Sequence, residues 1–170
     1  MNKYVKNIVL SAMFIGIGMV LPFLTGQIKQ IGSMLLPMHI PVFLCGLICG
    51  WQYGLIVGII LPLFRSAVFG MPAMYPNAVA MAFELAAYGF VSGFIYAHSK
   101  QESLGAVYRS VIISMIAGRA VWGVVQWVLL GIGGFTLKMF FYGAFVNAVP
   151  GIAVQLILIP AVVANLKTKS

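Results

Sequence analysis

The sequence predicts an all-α, polytopic membrane protein with six transmembrane helices in a single domain spanning residues 1–170. Two observations predict it. Hydrophobic residues make up 62% of the chain and charged residues only 7%, with a mean hydropathy of +1.08. A soluble domain carries about 25% charged residues, so a water-facing surface cannot be built from this composition. The second observation is the length of the uncharged runs: residues 30–64 and 139–166 contain no Asp, Glu, Lys or Arg. Each exceeds the ~20 residues that cross a bilayer as a helix. A membrane β-barrel would instead alternate over short segments.

Glycine, proline and charge divide the chain into six spans. The first, about 5–25, follows Lys3 and Lys6 and has an apolar run from Ile8 to Leu24. That run is long for a cleaved signal, and no convincing small-residue cleavage site follows, so we read it as a membrane helix. The loop QIKQIGSMLLPM leads to a short second span, about 38–50, and a third, about 51–70. Pro41, Gly46, Gly50, Gly54 and Pro62 favour two spans joined at Gly50 and Trp51 over one long helix. The fourth span, about 76–97, stops at HSKQES; the fifth, about 105–132, stops at GIGG; the sixth covers about 143–166.

An even number of spans puts both termini on one side. That side collects Lys3, Lys6, Lys100, Arg109, Lys167 and Lys169, whereas the other has only Lys29 and Lys138. The positive-inside rule makes the first side cytoplasmic. The loops around 26–37, 70–76 and 133–142 then face outward, either as plain connectors or as a lid over a pocket. The net charge of +8 is scattered over ends and loops with no patch or stripe, which argues against a nucleic-acid partner. Cys45 and Cys49, four residues apart in an apolar helix, read as buried small residues rather than as a metal pair or disulfide.

Three charges fall within spans: Arg65, Glu84 and Arg119. A charge at the bilayer centre costs at least ~2.5–3.5 kcal/mol on insertion scales, so such residues face the protein interior and pair or serve a site. The uncharged polar residues His39, Asn77, Gln126, Asn147 and Gln155 join them. In the orientation above, most of these lie in the outer half of the membrane. Arg119, Trp122 and Gln126 have i, i+3, i+7 spacing and share one helix face. They offer a cation, an aromatic wall and an amide, which suits a small polar ligand with an apolar body. Asn77 and Glu84 share a face of the fourth span. Glu84 is one embedded acid against two embedded arginines, so pairing with one leaves the other for an anionic ligand. The competing reading for Glu84 is an ion pair that only locks helices together. Asn77 equally reads as a helix cap after Pro76, and His39 as an interfacial residue.

Ala12 and Gly16, in SAMFIGIG, are four residues apart on the first span. Small residues at that spacing admit close approach of another helix, within the chain or in another subunit. No P-loop, H-E-x-x-H or G-x-S-x-G occurs, so no catalytic chemistry and no cofactor is expected. A channel would need a polar file across the whole membrane.

The six-span plan, the small-residue first helix, and the stretches GSMLLPMHIPVFLCGLICGWQYGLIVGIILPLFRS and GMPAMYPNAVAMAFELAAYGFVSGFIY together resemble the substrate-binding S component of energy-coupling factor (ECF) vitamin transporters. The likeness covers essentially the whole chain and is nearest to the pantothenate-type and related vitamin branch. It implies a vitamin pocket open to the outside of a bacterial cell membrane, covered by the outward loops, and no enzyme activity. It also implies docking through the first three helices to a membrane-embedded T subunit, with Ala12 and Gly16 where the family uses small residues. Two cytoplasmic ATPases would then drive uptake by toppling of the S component. Within this resemblance pantothenate is the first expectation, its carboxylate meeting Arg119 or Arg65. Pyridoxine or a pyrimidine precursor stacked on Trp122 is the alternative. The expected ligand contacts are Arg119, Trp122, Gln126, Asn77, Glu84, Arg65, His39 and Asn147.

Overall fold

The computed structural model describes residues 2–25, 35–99, 103–131, 134 and 136–168. Most of the first expected outward loop, with Lys29, lies outside the described residues, as do Lys100 and Lys169. Among the described residues the regular structure is helical throughout: α1 (Lys3–Val20), α2 (His39–Cys49), α3 (Trp51–Phe69), α4 (Val79–Ala97), α5 (Leu104–Leu130), the short α6 (Leu137–Phe141) and α7 (Val149–Thr168). Among the described residues five stretches are long and apolar enough to cross a membrane, and His39–Cys49 is shorter.

The element ends follow local chemistry. The Asn2 side chain accepts from the Tyr4 N–H at 3.3 Å, and Ser103 accepts from the Ala106 N–H at 3.3 Å, each satisfying a donor that the first turn leaves free. The α2–α3 junction needs no loop. Gly50 alone separates the two helices and holds φ at 108°, a conformation that side-chain-bearing residues avoid. The expected break at Gly50 and Trp51 therefore stands where the sequence put it. Gly70, at φ 67°, closes α3 by donating its N–H to the Ser66 carbonyl.

The last span departs from expectation. A helix over about 143–166 is predicted, but α7 begins at Val149, with Pro150 in its first turn, where a missing N–H costs nothing. The preceding residues form α6, capped by Thr136 through the Met139 N–H, and a wide helical turn at Tyr142–Val146.

Contacts along the helices fix their directions. Asn7 donates to the Cys49 carbonyl at 3.0 Å and Ser11 Oγ lies 3.5 Å from Cys45 Sγ, so α2 runs antiparallel to α1. α5 likewise runs against α4, through Arg109–Ser99, Arg119–Glu84 and Tyr75–Leu129. α4 is central and packs against α2, α3 and α5. The approach of α2, α3 and α4 is close because glycines line it. A Cβ at Gly54 would fall 2.7 Å from both the Gly46 Cα and the Gly89 carbonyl oxygen, and one at Gly93 would fall 2.5 Å from the Gly46 carbonyl oxygen. In lipid such contact replaces the hydrophobic drive that is missing between apolar helices. Every residue of α2 except Ile48 is buried, which explains how an 11-residue helix of ~16 Å persists in a ~30 Å hydrocarbon layer: protein, not lipid, surrounds it.

Candidate substrate-binding site

The centre of the site is a carboxylate. Glu84 stands in the second turn of α4 and is 2% exposed. Its Oε1 accepts from Arg119 of α5 at 2.9 Å and from the Tyr88 hydroxyl, one turn along α4, at 2.8 Å. The glycine before Arg119 makes this possible. A Cβ at Gly118 would collide with the Tyr88 ring, so glycine there lets α5 lie over that ring and carries Arg119 to the acid. Phe43 of α2 stacks on the Tyr88 ring, with centroids 4.9 Å apart.

His39, the first residue of α2, completes the cluster. Its ring lies 5.3 Å from that of Tyr88, and its Nε2 lies 3.7 Å from Glu84 Oε1, beyond hydrogen-bond range. The side chain is buried, yet neither ring nitrogen has a hydrogen-bond partner among the described residues. Gln126, two turns beyond Arg119 on the same face of α5, is also buried, and its Oε1 is likewise unpartnered. Buried polar groups are nearly always hydrogen-bonded, and leaving one unpaired costs ~1–3 kcal/mol. His39 thus lies beside the buried ion pair and Gln126 two turns further along α5, each with unmet hydrogen-bonding capacity among the described residues.

The remaining expected site residues are arranged around or away from this cluster. Trp122 is half-buried between Arg119 and Gln126; its ring lies 6.2 Å from that of Phe140 and packs over Gly143, in the segment joining α5 to α7. Asn147 is half-buried in the turn before α7. Asn77 is exposed in the wide turn Met74–Ala78 ahead of α4, and the Tyr75 hydroxyl of the same turn donates to the Leu129 carbonyl at 2.6 Å, one turn beyond Gln126. Arg65 is engaged elsewhere: its guanidinium donates to the Met19 carbonyl and sits 5.2 Å from the ring centroids of Phe23 and Phe69. It ties the end of α1 to α3. Of the two arginines expected to compete for Glu84, Arg119 holds it.

Two members of the neighbourhood were not among the expected contacts. Tyr88 is fully buried and bonded to Glu84; its i, i+4 offset from that acid was the available signal. Gln155 of α7 is buried, and its Nε2 lies 3.5 Å from the carbonyl of Leu36, the residue that also accepts from the His39 N–H at 3.1 Å.

On α1, Ser11, Phe14 and Gly18 face the bundle. Ala12 and Gly16 face away from it, and a Cβ added at Gly16 would meet no atom within 4 Å. Among the described residues the two small residues therefore do not serve packing within the bundle. Around them the same outward surface presents Ile8, Val9, Met13, Ile17 and Val20.

No match was found among curated proteins or among solved structures. The family model of the ECF transporter substrate-specific component matches residues 6–163, nearly the whole helical bundle and every residue of the cluster. The chain belongs to the family of substrate-specific components of ECF transporters, membrane proteins that work with T and ATPase subunits to import a small molecule.

Proposed function

We propose that this subunit captures a vitamin or small vitamin precursor in a pocket centred on Glu84, Arg119, Tyr88, His39 and Gln126, and presents it for ATP-driven import. The observation that carries the reading is that the buried ring nitrogens of His39, beside a buried ion pair, and the buried Gln126 Oε1 have no hydrogen-bond partner among the described residues. A purely structural cluster would spend these groups on one another. Trp122 supplies an apolar wall, and Asn77 and Asn147 lie at the mouth, on the turns that precede α4 and α7.

The pocket opens to the outside of a bacterial cell, with both termini in the cytoplasm. Lys3 and Lys6 open α1, Arg109 opens the first turns of α5 and Lys167 closes α7, all at the end of the bundle away from His39, whereas Lys138 sits at the opposite end. The outward face of α1 around Ala12 and Gly16 receives the T subunit. That placement separates capture from docking, with the ligand held among α2, α4 and α5 and the partner held on α1.

Binding by the purified protein in lipid nanodiscs tests the reading. A panel of vitamins and precursors is titrated by calorimetry, and one member binds with nanomolar-range affinity. If the whole panel fails to bind and no small molecule co-purifies, the capture role is overturned.

A further inference from the structure

We infer that the ligand is an uncharged small molecule carrying O–H or N–H donors, and that the pocket discriminates against carboxylates and phosphates. The inference rests on the capture role proposed above and specifies its substrate class.

The charge count comes first. The buried ionised side chains among the described residues are Arg65, Glu84 and Arg119. Glu84 and Arg119 neutralise each other at 2.9 Å. Arg65 is occupied by the Met19 carbonyl and two phenylalanine rings. No cation is left over in the cluster for an anionic ligand. An anion seated there would also face the Glu84 carboxylate across a low-dielectric interior, where like charges repel far more strongly than in water.

The unmet hydrogen bonds point the same way. A neutral imidazole offers one donor and one acceptor, and the Gln126 Oε1 offers only acceptor capacity. The His39 ring has Glu84 Oε1 at 3.7 Å and the Leu36 carbonyl nearby, neither in hydrogen-bond geometry, and an imidazolium there would bury a second cation. Of the atoms without a partner, Gln126 Oε1 and one His39 nitrogen accept and the other His39 nitrogen donates, while the Gln126 amide N–H groups and the Arg119 N–H groups not spent on Glu84 are further donors. A carboxylate has no donor and leaves both acceptors unpaired. Hydroxyl groups, or N–H groups beside an acceptor atom of the ligand, satisfy all three. A site built to hydrogen-bond such groups rejects analogues that lack them, because its own buried atoms are then left unpaired.

Matched pairs that differ in charge test the inference. Pantothenate and its alcohol analogue panthenol share one body; 4-pyridoxate and pyridoxine share another. Affinities are measured by calorimetry on nanodisc-embedded protein at pH 7.5, and any co-purified small molecule is identified by mass spectrometry. In any pair that binds, the uncharged member binds at least ten-fold tighter, and a co-purified molecule is uncharged. A carboxylate that binds as tightly or more tightly, or a co-purified anion, overturns the inference while leaving the capture role intact. If neither these probes nor any member of the wider panel binds and nothing co-purifies, the capture role itself falls, and the inference falls with it. The variant Gln126→Leu separates recognition from structure. It lowers affinity for the uncharged ligand at least ten-fold, whereas the ligand-free protein melts no lower than wild type, because the lost oxygen had no partner. Unchanged affinity together with a lower melting temperature overturns the role given to Gln126 and the inference built on it.

Discussion

Glu84 of α4 and Arg119 of α5 form a buried 2.9 Å ion pair that joins the two helices at the level of the proposed pocket. The pair makes Arg119 a poor free anchor and a strong structural partner, which changes what its removal does. Truncating one member of a buried pair strands the other charge and costs ~3–5 kcal/mol, whereas replacing both with apolar residues is often neutral. Arg119→Met and Glu84→Met are each expected to lower the melting temperature in detergent substantially, and the double variant to recover most of the loss. All three lose ligand. A double variant no more stable than the singles would show that the two charges act independently.

His39 is expected to separate stability from binding. Its ring packs against Tyr88 but makes no hydrogen bond among the described residues. His39→Phe keeps the ring packing and removes two unpaired polar atoms, so the ligand-free protein stays as stable as wild type or gains ~1 kcal/mol. Affinity falls at least ten-fold. Calorimetry and thermal unfolding on the same preparation check both halves.

The outward face of α1 is expected to matter only for transport. Because a Cβ at Gly16 meets nothing within 4 Å among the described residues and Ala12 is exposed, Gly16→Leu or Ala12→Leu leaves folding and ligand affinity unchanged. Uptake by the complete transporter in proteoliposomes is abolished, since the close helix approach is blocked. Normal uptake by both variants would remove this face from the docking role.

The inner glycines behave oppositely. Gly89→Ala drives a methyl into the Gly54 backbone, which cannot move aside as a side-chain tip can. A loss of ~1–3 kcal/mol, typical of overpacking, is expected, with ligand affinity falling because α4 carries Glu84. Thermal unfolding of Gly89→Ala beside Gly16→Ala checks the contrast between seam and surface.

Helix number, the Gly50 corner and the membrane setting were legible in the sequence because each depends on local chemistry. Uncharged run length sets span count, and a single glycine between two apolar runs sets the break. The start of the last helix was less legible. The run from Tyr142 to Leu166 carries no charge and is mostly apolar, and hydropathy alone does not separate the short α6 and the wide turn from the helix that follows. The shared face of Arg119, Trp122 and Gln126 was also readable, since spacing on one helix is a local property.

The sequence by itself determined that this chain lies in a bilayer, that three charges are embedded there, and that one acid must choose between two arginines. Only the tertiary structure decided the choice. Gly118 clears the Tyr88 ring so that Arg119 reaches Glu84, while Phe23 and Phe69 enclose Arg65 beside the end of α1. Tertiary packing likewise turned Ala12 and Gly16 outward and brought His39 to within 3.7 Å of an acid 45 positions later in the chain. Periodicity fixes which residues share a face of one helix. Which faces meet depends on side-chain volumes across helices, and a single sequence does not display those pairings.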